Sequence, residues 1–279
     1  MINLRQMFNR GQRASDHLGP APVSPRRDPL LEAVIAKEQI GLLFQPQIEP
    51  ASGHIAGAEA LARWNGAASP EQLFARAAAA GLGERLSRLI QRKALRMAGA
   101  WEGPLKNLGI SINLLPEDVS RPGYEDWLLE EMDRAGVKPN RVTVEITENA
   151  LIADRCGGVA ERLGKLRDAG VSIAVDDFGT GYASLAYLIS LPLDTLKIDR
   201  GLITDIVGGS RDRIVVKAMI QLARELDLKV IVEGVECSAQ LALLSEWGCD
   251  LYQGFLGSAA LDEMELARFV AASHAEIAA

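Results

Sequence analysis

The chain has 279 residues, of which 48% are hydrophobic and 24% are charged, a composition typical of a globular protein rather than a disordered or fibrous one. Its formal net charge of −7 argues against a general DNA or RNA surface, because Lys and Arg provide most contacts to phosphate backbones. No apolar run approaches the roughly 20 residues that cross a bilayer, and the N-terminus lacks the hydrophobic segment of a secretory signal. We therefore expect a cytoplasmic protein without a transmembrane segment.

The first residues of the chain differ from the rest in charge. Residues 1–27 hold five arginines against one acidic residue, Asp16, and their three prolines interrupt any helical or strand periodicity. We therefore expect residues 1–28 to form a flexible basic extension and residues 29–279 to form a single domain.

Downstream of this extension, short apolar runs with β-branched residues alternate with longer amphipathic stretches, which is the pattern of repeated strand and helix units. Eight strands are predicted, at residues 42–47, 55–63, 108–113, 142–147, 172–177, 195–199, 229–234 and 249–254. Helices are predicted between most of them, including 83–101, 124–136, 159–170, 213–227 and 239–248.

Strands and helices that alternate over about 250 residues fit a (β/α)8 barrel, with an open doubly wound sheet as the competing arrangement. Only residues 49–54 separate the first two strands. That linker is too short for a crossover helix, so the two strands should pair antiparallel. The prediction is an α/β fold, a TIM-like barrel with one antiparallel strand in its first hairpin.

Polar side chains interrupt or end most of the predicted strands: Glu59, Asn113, Glu145, Asp176, Asp177, Lys197, Glu233 and Gln253. Any single acid among them could cap a helix or pair with an arginine, and in isolation that structural role is the better explanation. Because the C-terminal ends of barrel strands converge at one mouth, the carboxylates together would repel one another unless divalent cations or raised pKa values relieve them.

The type of metal follows from the available ligands. The three cysteines form no CxxC pair and no HExxH motif is present, so a zinc or copper site is not indicated. Carboxylate and amide oxygens favour Mg²⁺ or Mn²⁺.

Asp176 and Asp177 are adjacent, and neighbours on a regular strand point to opposite faces of the sheet. The glycines of the segment 178–182 predict a tight loop, which would let one Asp serve two metal ions and the other only one. The DFG of this segment lacks a kinase catalytic loop, and its GTGYAS is an incomplete dinucleotide fingerprint, so neither of those functions is favoured.

The chain resembles the EAL-domain family of cyclic-di-GMP phosphodiesterases from about residue 30 to residue 270. The motifs that carry the resemblance, in order, are EALARW (59–64), the Asn of SINLL (113), EITE (145–148), DDFGTGYASL (176–185), LPLDTLKIDR (191–200), EGVE (233–236) and QGF (253–255). The resemblance implies hydrolysis of cyclic-di-GMP to linear pGpG with two Mg²⁺ or Mn²⁺ ions in each active site.

The resemblance also implies roles for individual residues. A first ion would be held by Glu59, Asn113, Glu145 and Asp176, and a second by Asp176, Asp177 and Glu233. Lys197 would position or help activate the attacking water, and with Glu233 and Asp176 it would form the catalytic set. The implied substrate contacts are Gln45, Arg63, Glu236 and Gln253, while Glu148 would organise the loop after Asp177.

Departures from the family pattern lie at the edge of the expected site. Ala259 and Ala260 stand at the basic and proline positions of the family's Ser-basic-Pro segment, which implies a weaker grip on a nucleobase. A homodimer through the apolar segment 185–192 and a regulatory protein partner are also expected. Two other functions stay open: a weak or noncatalytic cyclic-di-GMP receptor or protein-interaction module, and another oxygen-liganded barrel enzyme such as a metal-assisted lyase.

Overall fold

The structure, a computed structural model, describes residues 27–147, 158–179, 185–209 and 211–277. Eight strands close into a barrel in the order in which they occur along the chain. They are β1 (Gly41–Ile48), β2 (Ile55–Arg63), β3 (Gly109–Leu114), β4 (Val142–Thr147), β5 (Ser172–Phe178), β6 (Thr195–Ile198), β7 (Lys229–Val232) and β8 (Leu251–Tyr252). Each lies close to its predicted position, and the predicted barrel is confirmed.

Helices surround the barrel and follow most of its strands. The described ones are α1 (Pro29–Ala36), α2 (Pro70–Ala79), α3 (Gly83–Ala100), α4 (Pro116–Ser120), α5 (Tyr124–Ala135), α6 (Val159–Asp168), α7 (Leu185–Ser190), α8 (Arg211–Glu225), α9 (Ser238–Trp247) and α10 (Glu263–Ile277). The five helices predicted from the sequence correspond to α3, α5, α6, α8 and α9. None of the described helices is both long enough and apolar enough to span a membrane.

The reversed strand is β1. It runs antiparallel to β2 over its whole length and antiparallel to β8, whereas every other neighbouring pair in the barrel is parallel. The β1–β2 register places Gln45 opposite Glu59 and Gln47 opposite Gly57. Because alternate residues of a strand share a face, Gln45 and Gln47 both point into the barrel, at successive levels.

Each strand divides its side chains between two environments. On β3, Ser111 and Asn113 alternate with Ile110 and Ile112, and both isoleucines are buried. The apolar set faces the helices, as Phe44 of β1 does where its ring packs edge-on against Trp101 at 5.4 Å. The hydrophobic core therefore lies between strands and helices, and polar side chains occupy the interior of the barrel.

The folded part of the described chain begins at Asp28. Its carboxylate caps α1 by accepting from the Leu31 amide at 3.0 Å, and it forms an ion pair with Arg76 of α2. Residues 1–26 lie outside the described residues, so the flexible extension at residues 1–28 stays a prediction.

Candidate metal centre

Lys197 of β6 lies among four carboxylates inside the barrel. Its Nζ is 2.6 Å from Glu145 Oε2, 2.7 Å from Glu233 Oε1, 3.1 Å from Asp176 Oδ1 and 3.3 Å from Glu59 Oε2. The side chains of Lys197 and Glu145 are fully buried, and Glu233 retains the most exposure of the five. One ammonium thus faces four carboxylates, and the group carries an excess of negative charge when all of them are ionised.

Burial, together with this charge excess, raises the pKa of two of the carboxyl groups. Burial, reinforced by the neighbouring Glu59 and Asp176, raises the pKa of Glu145 well above its ordinary value despite the contact with Lys197. Burial also raises the pKa of Glu233 to about 8, against the opposing effect of Lys197. Both groups are therefore costly to ionise until a further positive charge is present.

Glu59 behaves differently because amide groups support it. Burial would raise its pKa, but Lys197 and the side-chain amides of Gln253 and Asn113 outweigh burial and lower it. Gln253 Nε2 donates to Glu59 Oε2 at 2.9 Å, and Asn113 Nδ2 donates to Glu59 Oε1 at 2.8 Å. Glu59 is thus stabilised as the charged form.

Asp176 and Asp177 lie near the end of β5, at an irregularity in the strand. The register between β5 and β6 shifts between Val175 and Phe178, and Asp177 has a φ of 55°, in the left-handed region. This turn brings both aspartates to one side. One carboxylate oxygen from each of Asp176, Asp177 and Glu233 lies within 4.8 Å of the others.

The sequence predicted that glycines would provide this turn. Gly179 does have a φ of 98°, and a Cβ there would lie only 2.7 Å from the side chain of Leu202. The unusual φ at Asp177 was not predicted, since Asp adopts this conformation far less readily than Gly. Residues 180–184 of the loop, and Glu148, which was expected to organise it, lie outside the described residues.

A further acid, Asp199, lies beside this group and had no predicted role. It follows β6 directly and accepts from the Gly201 amide at 2.8 Å. Burial, with the charges of Asp176 and Asp199, raises the pKa of Asp177 to about 6. The position of Asp199 at the end of a predicted strand is the signal that could have identified it.

The donor set fits a hard divalent cation. Oxygen ligands at about 2.0–2.6 Å from such an ion lie up to about 5 Å from one another, which matches the oxygens of Asp176, Asp177 and Glu233. Glu145 Oε1 is buried and accepts no hydrogen bond from any described residue. The second predicted ligand set is therefore gathered within 4.8 Å. Lys197 contacts members of both sets: Glu59, Glu145 and Asp176 of the first, and Asp176 and Glu233 of the second.

A groove of about 700 Å³ opens above these residues. All four predicted substrate contacts line it: Gln45, Arg63, Glu236 and Gln253. Gln253 lies at its deep end with only 4% of its surface exposed. The groove is also lined by side chains that the sequence analysis did not single out, namely Glu71, Phe74, Arg200 and Phe255. Phe255 is 72% exposed, and the QGF motif was the available signal for it.

Fold and site together define a barrel protein with an acidic cluster that could hold a divalent cation where its strands converge. The EAL domain family model matches residues 27–260, and the chain belongs to this family. The family expected from the sequence is thereby confirmed.

Individual relatives agree with this assignment. The chain is 36% identical over 249 residues to the cyclic di-GMP phosphodiesterase NbdA of Pseudomonas aeruginosa, covering 87% of this chain and 31% of that protein. It spans about a third of the length of the curated relatives that it matches.

Two solved structures have the same fold and were determined with cyclic-di-GMP. The complex of the PaMucR phosphodiesterase is 33% identical with a TM-score of 0.78, covering 85% of this chain and 97% of that one. The manganese complex of BlrP1 from Klebsiella pneumoniae is 31% identical with a TM-score of 0.67, covering 83% of this chain and 56% of that one.

Proposed function

We propose that this chain hydrolyses cyclic-di-GMP to linear pGpG with the help of divalent cations. The observation that carries the proposal is the gathering of Asp176, Asp177 and Glu233 within 4.8 Å, beside a buried lysine and at the base of a groove of about 700 Å³. The names of NbdA and PaMucR as phosphodiesterases, and the presence of manganese and cyclic-di-GMP in the BlrP1 structure, support it.

The cations are proposed to be two Mg²⁺ or Mn²⁺ ions in each site. Bound there, they would stabilise the negative charge that phosphodiester hydrolysis builds on the phosphate oxygens. The ligands of the first ion would be Glu59, Asn113, Glu145 and Asp176, and those of the second would be Asp176, Asp177 and Glu233.

Other residues of the chain would bind the substrate and position the attacking water. Arg63 lines the groove and would bind a phosphate of the substrate, for which a guanidinium is well shaped. Lys197 would hold positive charge beside the ligands and position the attacking water. Gln45 and Glu236, also on the groove surface, would contact the dinucleotide. Glu148 is proposed to organise the loop after Asp177.

The reaction needs a water that attacks phosphorus in line with the departing O3′ oxygen. One P–O bond forms as the other breaks, and the O3′ oxygen takes up a proton as the ring opens to pGpG. The acidic residues that line the groove, among them Asp176, Asp177 and Glu233, would hold the cations against the phosphate, and the other lining residues would receive the nucleosides.

The proposal is tested by incubating the purified chain with cyclic-di-GMP and Mn²⁺ or Mg²⁺ and following pGpG by chromatography. We expect Asp176→Asn and Glu59→Ala to lower turnover at least about 100-fold, since even partners of metal ligands cost 10–100-fold. The matched control is Asp168→Asn, the same change at an exposed position of α6. Tight binding of cyclic-di-GMP without pGpG would instead identify a receptor, and near-normal turnover of both variants would contradict the ligand assignment.

We also propose a homodimer. Apolar side chains are exposed on α7 and near the start of α8: Ile189 is 77% exposed and Ile214 is 71% exposed. Light scattering at assay concentration should give the mass of two chains, and Ile189→Glu should give the mass of one. A monomeric parent chain would contradict this proposal. A regulatory protein partner stays a prediction from the sequence.

A further inference from the structure

Gln47 lies deeper in the barrel than the residues of the proposed site. It follows Gln45 by two positions on β1, and its register partner on β2 is Gly57, one level below the Gln45–Glu59 pair. Only 5% of its surface is exposed. Its side chain must therefore find hydrogen-bond partners inside the barrel.

Those partners connect Gln47 to the proposed metal ligands. Gln47 Nε2 is 3.4 Å from Gln253 Oε1 and 3.3 Å from Ser111 Oγ. Gln253 Nε2 in turn donates to Glu59 Oε2 at 2.9 Å and to Glu233 Oε1 at 3.1 Å. Two glutamines thus form a relay from β1 to the carboxylates of Glu59 on β2 and Glu233 directly after β7.

The orientation of each amide in this relay depends on whether the group that faces it donates or accepts a hydrogen bond. A glutamine amide has one accepting and one donating end, and an ionised carboxylate can only accept. Gln253 Nε2 lies at hydrogen-bonding distance from both Glu59 and Glu233, so its NH₂ group faces them and its carbonyl faces away. A donor is then required on the far side of Gln253, and Gln47 provides it.

The barrel also leaves room for the Gln47 side chain. Gly57 on β2 pairs with Gly109 on β3, so the wall opposite Gln47 carries no side chain at that level. A Cβ on Gly57 would lie 3.1 Å from Gln47 Oε1 and 3.4 Å from the Gly109 carbonyl oxygen. The absence of side chains at these two positions lets Gln47 reach Gln253, which directly follows β8.

We propose that Gln47 is a positioning residue for the metal ligands: by donating to the Gln253 carbonyl it holds the amide in the orientation that fixes Glu59 and Glu233. The inference rests on the proposed function, because the assignment of Glu59 and Glu233 as ligands belongs to it. Partners of metal ligands commonly orient them in this way.

The primary test measures Mn²⁺ binding by calorimetry without any substrate. Gln47→Met keeps the approximate volume and removes the donor, and we expect Mn²⁺ to bind about 10-fold more weakly. Gln47→Glu places an acceptor against the Gln253 carbonyl and should weaken binding further. The control is Thr195→Val, a near-isosteric loss of a buried polar group on β6, which neighbours none of β1, β2 and β8. Its Mn²⁺ affinity should equal that of the parent.

A double-mutant cycle shows whether Gln47 acts through Gln253. In a Gln253→Met background the relay is already broken, so adding Gln47→Met should change the Mn²⁺ affinity by less than about 2-fold. Equal effects of Gln47→Met in both backgrounds would overturn the proposal. Equal losses of Mn²⁺ affinity in Gln47→Met and Thr195→Val would also overturn it, since they would indicate a general packing effect.

The outcomes separate this inference from the proposed function. If the Mn²⁺ affinities of the variants fall in the expected order but the parent chain forms no pGpG, hydrolysis is refuted and the role of Gln47 stands. Unchanged Mn²⁺ affinity in Gln47→Met would overturn the role of Gln47 alone. A parent chain that binds no Mn²⁺ would overturn both the metal assignment and this inference.

Discussion

The base and the rim of the groove differ in how their residues are held. The base cluster, defined as Glu59, Glu145, Asp176, Lys197 and Glu233, is mostly buried and tied together by ion pairs from five strands or strand ends. The rim, defined as Arg63, Phe74, Phe255 and Ala260, lines the groove and includes a phenylalanine that is 72% exposed. A change at the base should therefore alter folding, metal binding and chemistry together, whereas a change at the rim should alter substrate binding alone.

Removal of the Lys197 ammonium should have the largest effect of the changes that test this comparison. Lys197→Met leaves buried carboxylates without their counter-ion, and we expect the free energy of unfolding in EDTA to fall by about 3–5 kcal/mol. Urea denaturation measures it. Mn²⁺ should restore part of the loss, because a ligand of the native state stabilises that state.

The matched control for Lys197 is Lys37→Met, the same change at an exposed position just after α1. It should alter the free energy of unfolding by less than about 0.5 kcal/mol. Equal losses in the two variants would show that the base cluster is not energetically distinct from the surface.

The stability of the metal-free protein should fall as pH rises. The folded pKa of Glu233 is raised to about 8 and that of Asp177 to about 6, both above their unfolded values. Between the unfolded and folded pKa values the native state binds more protons than the unfolded chain, so stability decreases with pH in that range. Glu233 alone should account for a loss on the order of 3–4 kcal/mol between pH 5 and pH 8.

The measurement is the melting temperature in EDTA from about pH 4 to about pH 8, repeated with saturating Mn²⁺. The fall should shrink or vanish with Mn²⁺, because a cation replaces the protons on these carboxylates. Asp177→Asn should reduce the slope only between about pH 4 and 6. A melting temperature that rises from pH 5 to pH 8 in EDTA would contradict the raised pKa of Glu233.

At the rim, Arg63 should have the larger effect. Its guanidinium faces the groove, and loss of a charged hydrogen bond to a substrate phosphate costs about 1.5–3 kcal/mol. Arg63→Ala should therefore raise KM for cyclic-di-GMP at least about 10-fold without altering the free energy of unfolding. Arg85→Ala on the exposed side of α3 is the control. A fall in kcat at unchanged KM would contradict the proposed role of Arg63 in substrate binding.

Of the changes considered, substitution of Phe255 should have the smallest effect. A nucleobase stacked on an aromatic ring contributes about 1–3 kcal/mol, and an exposed ring such as Phe255 should lie near the lower limit. Phe255→Ala should raise KM about 5-fold at constant kcat, and Phe255→Tyr should restore it. Steady-state kinetics decide this, and a loss of Mn²⁺ affinity in Phe255→Ala would show that rim and base are coupled.

Much of the barrel could be predicted because its determinants are local. Short apolar runs with β-branched residues mark the strands, as residues 142–147 do for β4. The short linker 49–54 leaves antiparallel pairing as the only connection between β1 and β2. Polar residues within strands or at their ends, such as Glu145 and Asp176, indicated the mouth of the barrel, because the strand that carries each of them can be identified from the local sequence.

The remaining features depend on contacts between distant parts of the chain. Nothing local to Asp177 required a φ of 55°, which the turn at the end of β5 imposes on it. The burial of Lys197 beside Glu59 joins residues 138 positions apart, and the contact of Gln47 with Gln253 spans 206 positions. The sequence alone determined which residues are polar and which strand carries each one. Only the closed barrel decided which of them touch and how their pKa values shift, because charge interactions and burial depend on distance in space rather than along the chain.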